Sequence, residues 1–166
     1  MGKGGTTPLE PPAARRQHMG ARHGLAPPVG HNEAVQIKQL RILSAVLLGF
    51  AIGQAGLGSG YLGGAGSALL IAHATNAFAV LVLTALSAIF GFNYRRAGGP
   101  GWAFFLPAAM FVMAGIQITL GFAGIRGFHV FWGVLYLCAA TAFCSNIWRH
   151  RPAETAQPTT KASSTR

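Results

Sequence analysis

Four runs of apolar residues, at about 40–57, 68–90, 102–122 and 128–147, alternate with short segments that carry nearly all of the charge of this chain. Each run is close to the roughly 20 residues that a helix needs to cross the hydrocarbon of a bilayer. None shows the polar stripe, recurring every three to four residues, that a helix of a water-soluble bundle turns to solvent. The pattern predicts four transmembrane helices and excludes a soluble all-α domain. Connections of about 10, 11 and 5 residues make neighbouring helices antiparallel. The expected fold class is an all-α membrane protein, a four-transmembrane-helix up-down-up-down bundle spanning 37–149.

Composition agrees, with 51% hydrophobic and only 10% charged residues in 166. Residues 1–36, rich in Gly, Pro, Ala, Arg and His, read as a disordered basic cytoplasmic arm, and 150–166 as a disordered cytoplasmic tail. A net charge of +10 invites a nucleic-acid reading, but twelve of the thirteen basic residues precede or open the first run, lie between the second and third, or follow the fourth. Only Arg126 falls on the other side. The positive-inside rule then places both termini in the cytoplasm of a bacterial inner membrane, with no nucleic acid as partner. Trp102 and Trp148 stand at the cytoplasmic ends of their runs, where interfacial aromatics are expected. Near the N-terminus no short apolar run resembles a signal peptide, so the first span is expected to double as the insertion signal. Met19 is as good a start as Met1.

The candidate chemistry lies in two histidines. Gln54-Ala55-Gly56-Leu57-Gly58 closes the first run and His73 opens the second; Gln117-Ile118-Thr119-Leu120-Gly121 closes the third and His129 opens the fourth. The shared string Q-x-x-L-G, a loop, then His, placed alike in two helical hairpins, suggests an internal repeat. Each histidine is followed four residues later by a small residue, Ala77 or Gly133. An ionisable side chain in hydrocarbon is costly and marks a functional site with a partner. No span holds an Asp or Glu, so the histidines are expected to be each other's partner.

In an up-down bundle the second and fourth helices are diagonal, roughly 11 to 14 Å apart for adjacent axes of about 8–10 Å. Two neutral imidazoles at one depth across that gap suit bis-histidine ligation of a b-type haem, making His73 and His129 the metal ligands. Ala77 and Gly133, one turn below, leave room for the porphyrin. Arg126, three residues before His129, is placed to pair with propionates, or equally to snorkel to lipid phosphate. Gln54 and Gln117 are candidates to orient the imidazoles or bind propionates, or simply to bond across helices. Phe78, Phe131 and Trp132 are candidates to line the ring.

From Leu40 to Trp148, with histidines near the outer ends of its hairpins, the chain resembles one half of the haem A synthase bundle and, more loosely, four-helix b-type cytochromes. The stretch from Gln117 to Tyr136 is similar to a family of small uncharacterised four-helix bacterial integral membrane proteins with the same Gln-x-x-Leu-Gly, then His, arrangement. Haem A synthase has histidines on more helices and a carboxylate tied to its chemistry. This chain has neither, so the resemblance implies a haem-holding scaffold without the synthase reaction.

The leading expectation is an electron-transfer or haem-holding subunit, not an enzyme on its own, served by a quinol or respiratory-chain membrane partner and able to form oligomers. The alternatives are a cofactor-free accessory subunit of a larger membrane complex and, less favoured, a small transporter. Other motifs carry little. Arg15-Arg16 belongs to the basic arm, and Met1 to Thr6 fits a myristoylation pattern only in a host with that machinery. Gly58-Ser59-Gly60-Tyr61-Leu62-Gly63 matches G-x-G-x-x-G without the strand that gives the pattern its meaning, and is expected to be a flexible outer connector. Cys138 and Cys144, six apart on one helix, cannot form a disulfide with each other. Gly49, Gly53, Gly115 and Gly121 are expected at close helix contacts.

Overall fold

The computed structural model describes residues 1–2 and 29–151, and among them every regular element is an α-helix: α1 Val29–Leu62, α2 Ser67–Arg96, α3 Trp102–Phe122 and α4 Arg126–Arg149. The arm and the tail lie, at 3–28 and 152–166, outside the described residues. All four helices are long and apolar enough to span a membrane. No more than 22% of the most apolar window of any helix is buried inside the protein, so the remaining apolar surface faces outward. Such a surface is at rest only in lipid, and the chain is a multi-pass membrane protein.

The helices are longer than the apolar runs. α1 begins at Val29, inside the segment assigned to the arm, and at 34 residues is about 51 Å long, well beyond a hydrocarbon core of about 30 Å. At its other end α1 continues to Leu62, so Gly58 to Leu62 are helical and the expected flexible connector reduces to residues 63–66. The physical reason is the same at three helix ends. Gly64, Gly98 and Gly124 take left-handed φ angles of 90°, 104° and 71°. Around them the N–H groups of Ala65, Gly99 and Ile125 donate to the carbonyls of Gly60, Tyr94 and Leu120, while those of the three glycines donate to Tyr61, Arg95 and Gly121. This double closure is the Schellman motif, in which a glycine satisfies the last carbonyls. The helices therefore end where glycine permits the turn, past the point at which hydropathy falls.

α1 packs on α2 and α4, and α3 also packs on α2 and α4; the pairs α1–α3 and α2–α4 are diagonal. The buried residues of α1 and α3 coincide in register. Leu40, Ser44, Leu47 and Ala51 are matched 63 residues later by Ala103, Pro107, Met110 and Ala114. On α2 and α4, Val80, Thr84, Ser87 and Gly91 are matched 56 residues later by Tyr136, Ala140, Phe143 and Ile147. Buried hydroxyls are satisfied locally: Ser44 donates to the carbonyl of Arg41, Ser87 to Leu83 and Thr84 to Val80. With its one proton so used, Thr84 accepts from the hydroxyl of Tyr136, joining α2 to α4 across the core.

The tightest helix contact is at Gly91, where an added Cβ would stand 2.0 Å from the carbonyl oxygen of Ala103. Pro107 has no N–H for that carbonyl four residues before it, which leaves the oxygen free to lean against the α2 backbone. The glycines expected at close contacts behave otherwise: a Cβ on Gly49, Gly53 or Gly115 would meet nothing within 4 Å, and one on Gly121 would meet a histidine rather than a helix backbone. Small-residue spacing identifies where helices are able to approach, but the packing of whole faces decides where they do.

At the other end of the bundle, Arg41 donates to the carbonyl of His150, whose ring lies edge-on to Tyr94 and Trp102. His150, assigned to the tail, is thus held against the helices. Cys138 and Cys144 are both free thiols.

Replacing Gly91 with Ala is expected to push α2 and α3 apart and to cost about 1–3 kcal/mol, as overpacking does. Gly49→Ala, which meets open space, should be neutral or mildly stabilising. Thermal unfolding of the two variants in detergent, followed by circular dichroism, checks the contrast.

Candidate functional site

His73, in the second turn of α2, and His129, in the first turn of α4, meet across the bundle with ring centres 5.8 Å apart and planes at 67°. Each is held by the glutamine of the helix before it, through both ring nitrogens. His73 Nδ1 donates to the backbone carbonyl of Gln54 at 3.1 Å, and the Gln54 side-chain amide donates to His73 Nε2 at 3.2 Å. His129 Nδ1 donates to the carbonyl of Gln117 at 3.0 Å, and the Gln117 amide donates to His129 Nε2 at 3.3 Å. A carbonyl only accepts, so the proton of each ring is on Nδ1 and the lone pair on Nε2.

The glycine of each Q-x-x-L-G string explains how a ring reaches a helical carbonyl. Gly58 and Gly121 stand one turn after their glutamines, and a Cβ there would lie 2.9 Å from His73 Cε1 or 3.1 Å from His129 Cε1. The imidazole occupies the space that a side chain would fill. Gly133 serves the amide in the same way, since its Cβ would come within 2.9 Å of Gln117 Nε2. The string is a working unit: glutamine offers one acceptor and one donor, and glycine clears the approach.

A further pair of contacts ties each hairpin, from positions that sequence reasoning missed or misassigned. Asn76, three residues after His73, donates to the carbonyl of Phe50 at 3.0 Å and to Gln54 Oε1 at 2.7 Å. Trp132, three residues after His129, donates its indole N–H to the carbonyl of Met113 at 3.0 Å. Phe50 and Met113 are each four residues before their glutamine. Trp132 is therefore turned into α3 rather than toward a ring, and Phe131 is exposed, whereas Phe78 does line the cavity. The halves differ in one respect: Asn76 fixes the orientation of the Gln54 amide, while Gln117 Oε1 is buried without a partner. Asn76 was legible as an uncharged amide in an apolar run, and Gly58 and Gly121 as the last letter of the repeated string.

The histidines border a cavity of about 490 Å³. Gln54, Gln117, Gly58 and Gly121 line it, as do Ala77 and Gly133, with Arg126 at the first residue of α4 and Tyr136 two turns below His129. His73, His129, Gln54, Gln117, Arg126, Ala77 and Gly133 thus all border one cavity, while Phe131 and Trp132 do not. Among the described residues no three His, Cys, Asp or Glu side chains gather as a metal-binding group. Two imidazole lone pairs fall short of the four ligands a bare zinc ion takes from protein and water.

Comparison with protein-family models, with curated proteins and with solved structures finds no match for this chain.

In cofactor-free protein labelled with 15N-histidine, long-range 1H–15N spectra are expected to show His73 and His129 both protonated at Nδ1 and bare at Nε2. A proton on Nε2 of either ring would contradict the hydrogen-bond assignment.

Proposed function

We propose that this chain is an up-down-up-down bundle of two duplicated helical hairpins that binds a b-type haem between His73 and His129, as an electron-transfer or haem-holding subunit of a bacterial inner membrane. The observation that carries the reading is the pair of equivalent histidines at the border of one cavity, each with Nδ1–H given to a backbone carbonyl and a lone pair left on Nε2 that only a glutamine side chain covers. Donation from Nδ1 to a carbonyl is the arrangement that orients a ligating histidine and raises its basicity. The duplication is supported by the common offsets, 63 residues between α1 and α3 and 56 between α2 and α4, which hold for the buried core, the glutamines and the histidines alike.

The residues fit the group. His73 and His129 would hold the metal once each ring turned its Nε2 from its glutamine toward the other ring, which stands 5.8 Å away centre to centre. Ala77, Gly133, Gly58 and Gly121 keep the surrounding wall low. The Gln54 and Gln117 amides, which cover Nε2, turn aside to free the lone pairs and are then available to polar substituents, as is Arg126 to a carboxylate. When bound on both faces, haem supplies one-electron transfer without an open coordination position. The sequence carries no nucleotide- or flavin-binding motif, so electrons would be exchanged with a membrane partner such as a quinol or a respiratory-chain subunit. The distribution of basic residues supports cytoplasmic termini and places the histidines toward the outer face.

One observation favours a second reading, a cofactor-free accessory subunit: the two glutamines satisfy all four ring nitrogens by themselves.

Protein purified in detergent after expression with ample haem is expected to show a Soret band and sharp reduced α and β bands. His73→Ala and His129→Ala should each abolish the low-spin spectrum. A colourless, folded wild type would leave the accessory-subunit reading in its place.

A further inference from the structure

The cavity has two sides that the pseudo-twofold of the bundle relates, and they are built differently. Ala55 and Ser59 of α1 with Val130 and Val134 of α4 border it on one side; Ile118 and Phe122 of α3 with Ala74 and Phe78 of α2 border it on the other. Positions correspond at the same 63- and 56-residue offsets, so Ala55 answers to Ile118, Ser59 to Phe122 and Val134 to Phe78. In each of these pairs the smaller residue is on the α1–α4 side, with Val130 against Ala74 the exception. All four of these α1–α4 residues are exposed as well as cavity-lining, and above them so is Leu62, so a single layer of mostly short side chains separates the cavity from the outside there. On the opposite side Ala74 and Ile118 are half-buried, and the exposed residues are the two aromatic rings of Phe78 and Phe122.

A second, separate asymmetry acts along the same seams. Gly91 lets α2 close on Ala103 of α3. The corresponding positions on α4 and α1 are Ile147 and Leu40, two large side chains that are fully buried. Where one seam is drawn together by a missing side chain, the other is propped by two.

We propose that the seam between α1 and α4 is a lateral portal through which the protein takes up and releases a planar, largely apolar macrocycle dissolved in the bilayer. This rests on the haem reading of the cavity and extends it: the bound group is exchangeable cargo of the membrane phase. The portal is formed by Ala55 and Ser59 facing Val130 and Val134. The side chains that stand in the way there are short, whereas between α2 and α3 the way is crossed by Phe78, Ile118 and Phe122.

The chain supplies its own test substitutions, because each portal position has a counterpart that carries the bulkier residue in the same fold. Cofactor-free protein in phosphatidylcholine vesicles is mixed with haemin, and uptake is followed by quenching of tryptophan fluorescence and by growth of the Soret band. The double variant Ala55→Ile with Ser59→Phe is expected to take up haemin about tenfold more slowly or worse, as gated binding does, and to reach the same final spectrum. The mirror variant Ile118→Ala with Phe122→Ser opens the second side and is expected to bind faster than wild type, so the idea does not depend on one variant folding. Equal uptake rates in wild type and both variants would overturn the portal alone and point to entry from the outer face. A wild type that takes up no haemin would overturn the haem reading and the portal with it.

Discussion

A polar side chain placed in hydrocarbon must find its hydrogen-bond partners inside the protein, and an imidazole needs two of opposite kind at once. Here one glutamine supplies both, a backbone carbonyl for Nδ1–H and a side-chain amide for Nε2, twice over. A single interhelical hydrogen bond in a bilayer contributes only about 0.6 to 2 kcal/mol, so these bonds do not hold the bundle together by their strength. Their weight comes from the alternative, since an imidazole shifted by one residue leaves polar groups unsatisfied at several kcal/mol each. The register of α1 against α2, and of α3 against α4, follows from that penalty. Glycine one turn beyond the glutamine follows as well, because a Cβ there would crowd the ring where it reaches the carbonyl.

The same constraint acting in two hairpins produces halves that agree where the histidine contacts demand it and diverge elsewhere. Asn76 and Trp132 occupy corresponding positions with unlike side chains, yet both reach the carbonyl one turn before the glutamine. In the core, volume is exchanged between positions at the same offsets: Gly91 and Ser87 of α2 correspond to Ile147 and Phe143 of α4, and Leu40 of α1 to Ala103 of α3. A close-packed interior tolerates such exchange when the total is kept, and the result is one tight seam and one propped seam rather than two equal ones. Asymmetry therefore enters through packing, while the polar site stays symmetric except at Gln117, whose side-chain oxygen has no counterpart to Asn76.

Much of this molecule was legible in the amino-acid order. The four spans were plain because hydrocarbon admits so few solutions that a run of about 20 apolar residues is nearly decisive. His73, His129, Gln54 and Gln117 stood out because polar residues are rare in such runs, and their repeated spacing tied them together. Helix ends were less legible: hydropathy reports the edge of the membrane, but α1, α2 and α3 stop at Gly64, Gly98 and Gly124, where backbone geometry allows the turn.

What the order of residues determined by itself was the environment and the identity of the polar residues, since both depend on composition and local period. Only the tertiary structure decided which nitrogen of each imidazole carries the proton, that Trp132 turns into α3 while Phe78 borders the cavity, and that helices close at Gly91 rather than at Gly49, Gly53 or Gly115. Those outcomes depend on what a side chain meets on a neighbouring helix, and no spacing along one helix contains that information. For Gly91 the deciding partner was a carbonyl freed by Pro107 on another helix, a contact between two positions that each look unremarkable alone.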